Sequence, residues 1–372
     1  MSNPELSVVI PVYSRGLELA HSIESVLAQT YQNFEIVLVD NNAKDFALST
    51  AKDFVERFPE KIRLIKESDQ GVCSARNTGI LKSHGSFIAL QDEDDLMKPN
   101  RLESQIKILK NRNDISLVTC FYDIMSPDGK SIIIKNVYSP VVNLENSYGK
   151  IAQEVRSLFS SYMDSYTSST FHFHIPSSFM FRKEVAIRAG LFDTRFNPQF
   201  LEDYEFQIRM FAEGPFFQVQ DSLFFFRENP YKFESGSSQK TSEKYQVHER
   251  WHQNDELFFI SLWNRFSNVS KKNIPILKRI RAILLRSIGS HAVRYSGGGS
   301  IASTLFFRSW LANPKDIGTL KLCIKTFFPK SYYPYLFWFN RFANESLEKL
   351  PKGFSRTILN TSTAKKRFDN QS

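Results

Sequence analysis

The chain has 372 residues, 42% of them hydrophobic, enough to bury a large core in one domain with an appendage or in two domains. Its net charge of +9 conceals two regimes: residues 1–240 hold 26 Lys and Arg against 31 Asp and Glu, net −5, and residues 241–372 hold 22 against 8, net +14. Cys73, Cys120 and Cys323 are too few and too far apart for a disulfide framework or a cysteine-built metal site, and no run of 18 apolar residues predicts a membrane span.

The first elements alternate. Leu6–Tyr13 is an apolar, β-rich run that reads as a buried strand stopped by Pro11. After the Ser14-Arg15-Gly16 turn, Leu19, Ala20, Ile23, Val26 and Leu27 follow helical spacing. Phe34–Asp40 is a second buried strand that ends in a carboxylate. Phe46–Phe58 is a second helix closed by Pro59. A short strand at 62–65 and a glycine-led helix at 71–83 follow, then a fourth strand, Phe87–Leu90. This β-α-β-α-β-α-β order implies a parallel, doubly wound sheet with right-handed crossovers, in which ligands bind at the carboxyl ends of the strands. Early Glu5 and Pro11 interrupt the first apolar run, so no signal peptide is expected, and the cysteine usage suits a reducing, cytoplasmic location.

The fourth strand runs into Asp92-Glu93-Asp94-Asp95. In extended geometry Asp92 and Asp94 project to the same side, and two such carboxylates at a strand end suit a hard cation, Mg²⁺ or Mn²⁺. The competing reading is an acidic turn facing water. Farther along, 114–137 reads as a hairpin about Pro127-Asp128-Gly129, 177–181 as a strand, 182–189 as a short helix ended by Gly190, and 204–212 as a helix. Glu202, Asp203 and Glu205 stand at the N-terminus of that last helix, where the macrodipole favours negative charge and where capping alone would account for them. Residues 138–175 are polar, aromatic and poorly patterned. His172 and His174 there could ligate a metal, but they read more readily as ordinary polar side chains.

Several blocks in order, Ser7–Arg15, Ser25–Ile36, Val39–Asp45, Gly71–Ile80, Asp92–Asp95, Pro176–Asp193 and Glu202–Arg209, resemble the family 2 glycosyltransferases, over about residues 1–230. The resemblance implies the GT-A fold: an α/β catalytic domain at 1–240 with a doubly wound, mostly parallel central sheet. A basic, mostly helical extension at 241–359 and a polar tail at 360–372 would follow. It implies inverting transfer from a nucleotide-sugar donor, with UDP the first expected nucleotide, to a hydroxyl of a glycan or lipid-linked acceptor, with Mn²⁺ or Mg²⁺. By the same resemblance Pro11, Val12 and Tyr13 lie along the donor, Asp40 takes the nucleotide base, Asp92 approaches ribose and metal, and Asp94 ligates the metal directly. Asp203 is the catalytic base, and Glu202 orients the site. Arg76 either faces the donor or forms a salt bridge to the acidic loop. Family members often carry Arg-x-His after the next strand; here Arg227-Glu228-Asn229 places an amide where the histidine would be, so Asn229 is the candidate third ligand. Residues 138–175 are the candidate acceptor-recognition segment, and the Ser235–Ser238 loop a candidate lid.

In the basic part, Ile276, Leu277, Ile280, Ile283, Leu284 and Ile288 follow helical spacing with Lys278, Arg279, Arg281 and Arg286 interleaved. Such a helix either packs on the catalytic domain or lies on an anionic membrane face through 276–294, helped by the aromatic cluster 332–339. Nucleic acid is not the expected partner. The reading from a different class is a catalytically degenerate family member that binds lipid or nucleic acid through the basic region. Intact Asp40, Asp92, Asp94 and Asp203 argue against it.

Overall fold

The computed structural model describes residues 4–137, 154, 174–197, 201–228, 257–265, 267, 273–296, 299–313 and 319. The expectations placed on 138–153, His172, Asn229, the 235–238 loop, 332–339 and 360–372 lie outside these residues.

Four strands form the first half of the sheet: β1 (Leu6–Val12), β2 (Phe34–Asp40), β3 (Ile62–Lys66) and β4 (Phe87–Leu90). They are joined by helices α1 (Leu17–Leu27), α2 (Asp45–Arg57) and α3 (Val72–Lys82) and pair in parallel in the order β3-β2-β1-β4. The order reverses at β1, which opens the crevice expected of such sheets at their carboxyl ends. Beyond β4 the sheet becomes mixed. It continues through β8 (Met180–Arg182), β6 (Leu117–Met125), β9 (Phe216–Arg227) and β5 (Leu96–Met97), and β7 (Ile132–Val137) hangs on β6. β8 runs antiparallel to both β4 and β6, while β9 is parallel to β6. The parallel, doubly wound part of the α/β fold is thus its first half, and the second half is woven from both senses.

The two-residue period of a strand sorts the core into two layers. Val8, Ile10, Ile36 and Leu38 face α1, α2 and α4 (Arg101–Asn111). Val9, Val37 and Val39 face α3, α5 (Lys183–Ala189) and α6 (Glu202–Glu213). On this second face α3 lies very close to the sheet. A Cβ at Gly79 would stand 2.3 Å from Val9 Cγ1, so only glycine admits the observed approach.

Several elements depart from the sequence reading. β1 runs through Pro11 to Val12 because its ladder with β4 has already ended at Val9, so the missing proline N–H is not needed on that side. The strand expected at 177–181 opens as a 3₁₀ turn, Pro176–Ser178, before β8. The 114–137 hairpin is present, with Gly129 in the left-handed region at φ 72°. β5 and α4 were not foreseen.

The basic region meets the same core. A helical stretch at 257–265 (α7) contributes Phe258, Phe259 and Leu262, and α8 (Asn273–Ser296) contributes Leu277, Ile280 and Leu284, all to the layer that holds α3 and α6. Lys278 and Arg281 stay exposed on α8. A last described helix, α9 (Gly299–Ala312), packs on α8, where the Ser309 hydroxyl donates to the Ala282 carbonyl at 2.7 Å. Among the described residues no helix is long and apolar enough to cross a membrane.

Candidate active site

The site grows from the carboxyl ends of β1, β2 and β4. At the end of β2, Asp40 is buried and its Oδ1 accepts the Ala43 N–H at 2.9 Å, an Asx-type turn that bends the chain away from the sheet. Asn41 does the structural work beside it. Its side-chain amide donates to the carbonyls of Glu67 and Asp69, and its Oδ1 accepts the Gly71 N–H at 2.7 Å. The N-terminus of α3 is thereby pinned to the end of β2. Gly71 has φ 139°, and a Cβ there would meet the Asn197 side chain at 2.1 Å, so the entry to α3 is closed to any other residue. Asn197 in turn accepts from the Cys73 N–H at 3.0 Å and donates to the Ser74 hydroxyl at 2.9 Å.

At the end of β4 the four acids do not continue the strand. Residues 92–95 form a tight turn, with the Asp95 N–H donating to the Asp92 carbonyl at 3.3 Å. The extended geometry from which Asp92 and Asp94 were read as same-side ligands is therefore not the observed one, because the turn gives each acid its own partner. Asp92 Oδ1 accepts from Arg76 Nη2 at 2.9 Å. The Glu93 carboxylate takes the N–H groups of Tyr13 at 2.9 Å and Ser14 at 3.0 Å, one on each oxygen. Asp94 lies 3.7 Å from Arg15 Nε. Asp95 is buried, and its Oδ1 accepts the Arg227 N–H at 2.9 Å.

The electrostatics follow from this packing. Burial pushes the Glu93 carboxyl up to about 7, against the two N–H groups that favour its charge. Burial, together with the charges of Asp94 and Asp92, holds Asp95 well above the usual carboxylate range. Burial opposes the charge of Arg76, yet Asp92 and Glu202 beside it outweigh that penalty and raise its pKa. Arg227 braces the turn from the far side. Its Nε donates to the Asp94 carbonyl at 2.9 Å and its Nη1 to the Pro127 carbonyl at 3.0 Å.

Glu202 and Asp203 arrive on the first turn of α6. Glu202 Oε1 accepts from Arg76 Nη1 at 3.1 Å. Asp203 is half-buried, its Oδ1 accepting the Tyr204 N–H at 2.8 Å and its carbonyl accepting from Gln207 Nε2 at 3.0 Å. Gln207 also holds both backbone groups of His174, and the His174 ring lies 3.5 Å from Gln218 Nε2. Pro11, Val12 and Tyr13 border the same crevice. Asn41 N donates to the Val12 carbonyl, Lys44 N to the Tyr13 carbonyl, and the Tyr13 ring is exposed.

Among the described residues, no three His, Cys, Asp or Glu side chains form a metal-holding group. Asp92 and Asp94 offer hard carboxylate oxygens with partly exposed side chains. That donor set fits Mg²⁺ or Mn²⁺ of the kind held by one or two carboxylates and completed by substrate phosphates and water.

Several residues of the site escaped the sequence reading. Ser177 accepts the Asp92 N–H at 3.0 Å, and Gln91 donates to the Asp95 carbonyl at 2.7 Å. Arg101 is fully buried and donates to Gln91 Oε1, Gln105 Oε1 and the carbonyls of Leu90 and Phe179. A signal for Arg101 did exist: a cation at the first position of a helix opposes the macrodipole and asks for another explanation.

Residues 7–190 match the model of the glycosyl transferase family 2. The chain is 31% identical over 125 residues to the glycosyltransferase GlyG of Streptococcus pneumoniae serotype 4, covering 33% of this chain and 41% of GlyG. It is 27% identical over 232 residues to the uncharacterized glycosyltransferase EpsJ of Bacillus subtilis, covering 61% and 62%, and 31% identical over 125 residues to the minor teichoic acid biosynthesis protein GgaB of Bacillus subtilis, covering 32% and 14%. The chain thus spans less than two thirds of each of these relatives. Among solved structures, S. aureus TarS 1-349 in complex with UDP-GlcNAc aligns with TM-score 0.47 and 15% identity, covering 85% of this chain and 89% of TarS 1-349. With an α/β sheet that reverses at β1, acids at the ends of β2 and β4, and a family match over 7–190, this part of the chain belongs to glycosyl transferase family 2.

Proposed function

We propose that the protein is an inverting, metal-dependent glycosyltransferase that moves a sugar from a nucleotide-sugar donor, with UDP the first nucleotide to test, to an acceptor hydroxyl. One observation carries the reading: Arg76 of α3 bridges the 92–95 turn and Glu202, the neighbour of Asp203, while Asn41, the neighbour of Asp40, pins the start of α3 to the end of β2, so that three separate parts of the chain meet around the strand ends of the sheet.

In this reading Asp40 accepts hydrogen bonds from the nucleotide base at the end of β2, and Tyr13 borders the donor from β1. Asp92 and Asp94 would hold the cation. When bound, it neutralises charge building on the departing diphosphate. Asp203, on the first turn of α6, takes the proton from the acceptor hydroxyl as that oxygen attacks the anomeric carbon. Bond formation on one face and departure of the nucleoside diphosphate from the other make one displacement with inversion, and fixing donor and acceptor in line supplies much of the rate. Glu202 orients the site. The name of one relative, a minor teichoic acid biosynthesis protein, supports testing hydroxyls of glycan polymers or lipid-linked sugars as acceptors. Docking of α8 to an anionic lipid face would be electrostatic, through Lys278 and Arg281, since its apolar side is already spent in the core.

The test is a panel of nucleotide sugars with Mg²⁺ or Mn²⁺, read by calorimetric binding and by donor turnover, with the product anomer assigned by NMR. Asp203→Asn is expected to lower transfer about 10²- to 10⁴-fold, the usual share of a general base, while nucleotide affinity holds. Full activity in Asp203→Asn refutes the assignment of the base. Absence of nucleotide-sugar binding by the wild type refutes the enzyme reading and favours the degenerate, binding-protein alternative.

A further inference from the structure

Arg76 lies on α3, 16 residues before Asp92 and 126 before Glu202, and its two terminal nitrogens are divided between them, Nη2 to Asp92 Oδ1 at 2.9 Å and Nη1 to Glu202 Oε1 at 3.1 Å. The side chain is almost wholly enclosed, at 4% exposure, and its Nε is buried without a partner. With both terminal nitrogens turned to protein carboxylates and the side chain enclosed, the guanidinium does not present its remaining N–H groups to a nucleotide in this arrangement. Its planar face is also occupied, with Cζ 5.3 Å from the Phe192 ring centroid, and Phe192 stacks on Phe206 of α6 at 4.0 Å and 15°.

The same stretch of α3 grips the approach to α6 twice more. Asn77 exchanges two 2.8 Å hydrogen bonds with the backbone of Phe192, and Asn197 bonds to Cys73 and Ser74. α6 then begins through Leu201, a buried non-glycine residue in the left-handed region at φ 67°, a conformation that persists only where the surroundings impose it. The Arg76–Glu202 pair is the ionic contact immediately after that residue. A carboxylate–guanidinium–carboxylate triad with Arg76 and Glu202 buried and Asp92 partly exposed is an expensive way to stabilise a fold, since apolar side chains of similar volume often do as well or better. What it does provide is a fixed distance and direction between two carboxylates on different elements.

We propose that Arg76 is a positioning residue for transfer and not a donor ligand. It locks Glu202, and with it the first turn of α6 that carries Asp203, in register with Asp92 on the donor side. The proposal rests on the glycosyl-transfer reading above and adds to it the part that couples the acceptor half of the site to the donor half.

The test compares Arg76→Met, Arg76→Lys, Glu202→Gln and the double variant Arg76→Met/Glu202→Gln. Turnover and KM are measured with whichever nucleotide sugar the wild type uses, UDP binding is measured by calorimetry, and ligand-free unfolding is followed in urea. Arg76→Met is expected to lower kcat by about 10²-fold, the cost of a misplacement of about 1 Å at a reacting centre, with UDP affinity changed less than about threefold. The double variant should turn over no more slowly than Glu202→Gln, because Arg76 acts through Glu202. Arg76→Lys keeps the charge but not the two-pronged reach, and should remain at least about tenfold down. If Arg76→Met does not fold, Arg76→Lys and Glu202→Gln carry the comparison. Equal losses in UDP affinity and turnover, multiplicative effects in the double variant, or wild-type turnover in Arg76→Lys would each overturn the proposal. If the wild type turns over no nucleotide sugar, the transfer reading fails. The tether is then still read from the non-additivity of the Arg76 and Glu202 variants in ligand-free unfolding, and additivity there would refute it.

Discussion

Arg101→Met should destabilise the protein sharply although it removes no salt bridge. The guanidinium is fully buried and donates to Gln105 Oε1 at 3.1 Å, Gln91 Oε1 at 2.8 Å, the Leu90 carbonyl at 2.9 Å and the Phe179 carbonyl at 3.3 Å. Burial holds its pKa down to about 10, so it remains charged at neutral pH. The Phe179 carbonyl also accepts the Leu90 N–H and keeps that partner, while the Leu90, Gln91 and Gln105 oxygens lose the bonds they make to Arg101. Leaving a buried acceptor without a bond costs about 1–3 kcal/mol. Relief of the buried charge acts the other way, so the lower figure applies to each oxygen, and the sum is about 3 kcal/mol. For a domain of this size that is a fall in Tm of about 6–12 °C. Thermal and urea unfolding measure it, and Met fills most of the volume, so a cavity is not the cause. The change should also reach the site, because Gln91, which Arg101 holds, ties down the Asp95 carbonyl. A loss below about 1 kcal/mol would show that those oxygens find other partners and that the reasoning from orphaned acceptors is wrong.

Three further outcomes follow from the same kind of argument. Gly79→Ala would gain about 1 kcal/mol of helix propensity in isolation, yet its Cβ would stand 2.3 Å from Val9 Cγ1 in the middle of β1, so net destabilisation of about 1–3 kcal/mol is expected from thermal unfolding; a gain would show that α3 can lift off the sheet freely. Glu35 is buried, and although burial raises its pKa, Arg63, Ser7 and the His84 N–H together hold it below the ordinary value of 4.5. Its native pKa is depressed, so its contribution to stability is complete above 4.5 and is lost as pH falls through the native value; Glu35→Gln should be less stable than wild type at pH 7, with the gap narrowing on acidification. Glu93→Ala removes the acceptor for the Tyr13 and Ser14 N–H groups, and those amides should exchange with deuterium up to about 10-fold faster, as expected for loss of one hydrogen bond each; unchanged exchange would mean that the loop is held by something else.

The first, parallel half of the fold was legible because its signals are local. Apolar runs, helical spacing and breakers place β1 to β4 and α1 to α3 within a residue or two, and a parallel order leaves few topologies open. The carboxylates of the site were legible for the same reason, as acids that end apolar strands. What could not be read was who holds them. Asp92 and Asp94 were placed by assuming an extended chain, but the 92–95 turn is set by partners 80 residues earlier and more than 130 later, Tyr13, Ser14 and Arg227. The partners of Arg101, Gln91 and Ser177 could not be read from period or spacing, since their role exists only where β4, β8 and α4 converge, and that of Asn41 only where the end of β2 meets the start of α3. The second half of the sheet was less legible too, because β5 has only two residues and β9 breaks register between Val219 and Ser222.

The C-terminal basic helix shows why amphipathicity alone does not choose a partner. Spacing gives α8 an apolar side and a cationic side whether it lies on lipid or on protein. The structure puts Leu277, Ile280 and Leu284 into the layer that also holds Val9, Val37, Ile80, Phe206 and Ile208. That layer is the face of the sheet on which α3 carries Arg76 and α6 carries Glu202 and Asp203. The apolar side of α8 is therefore part of the platform beneath the site. A substitution such as Ile280→Ala should act first on stability, by about 2–5 kcal/mol, and binding to anionic vesicles should respond to Lys278→Glu and Arg281→Glu instead. One side of the helix thus supports the site from behind, while on the other Lys278 stands exposed, Arg279 pairs with Glu154 and Arg281 lies over the Phe259 ring.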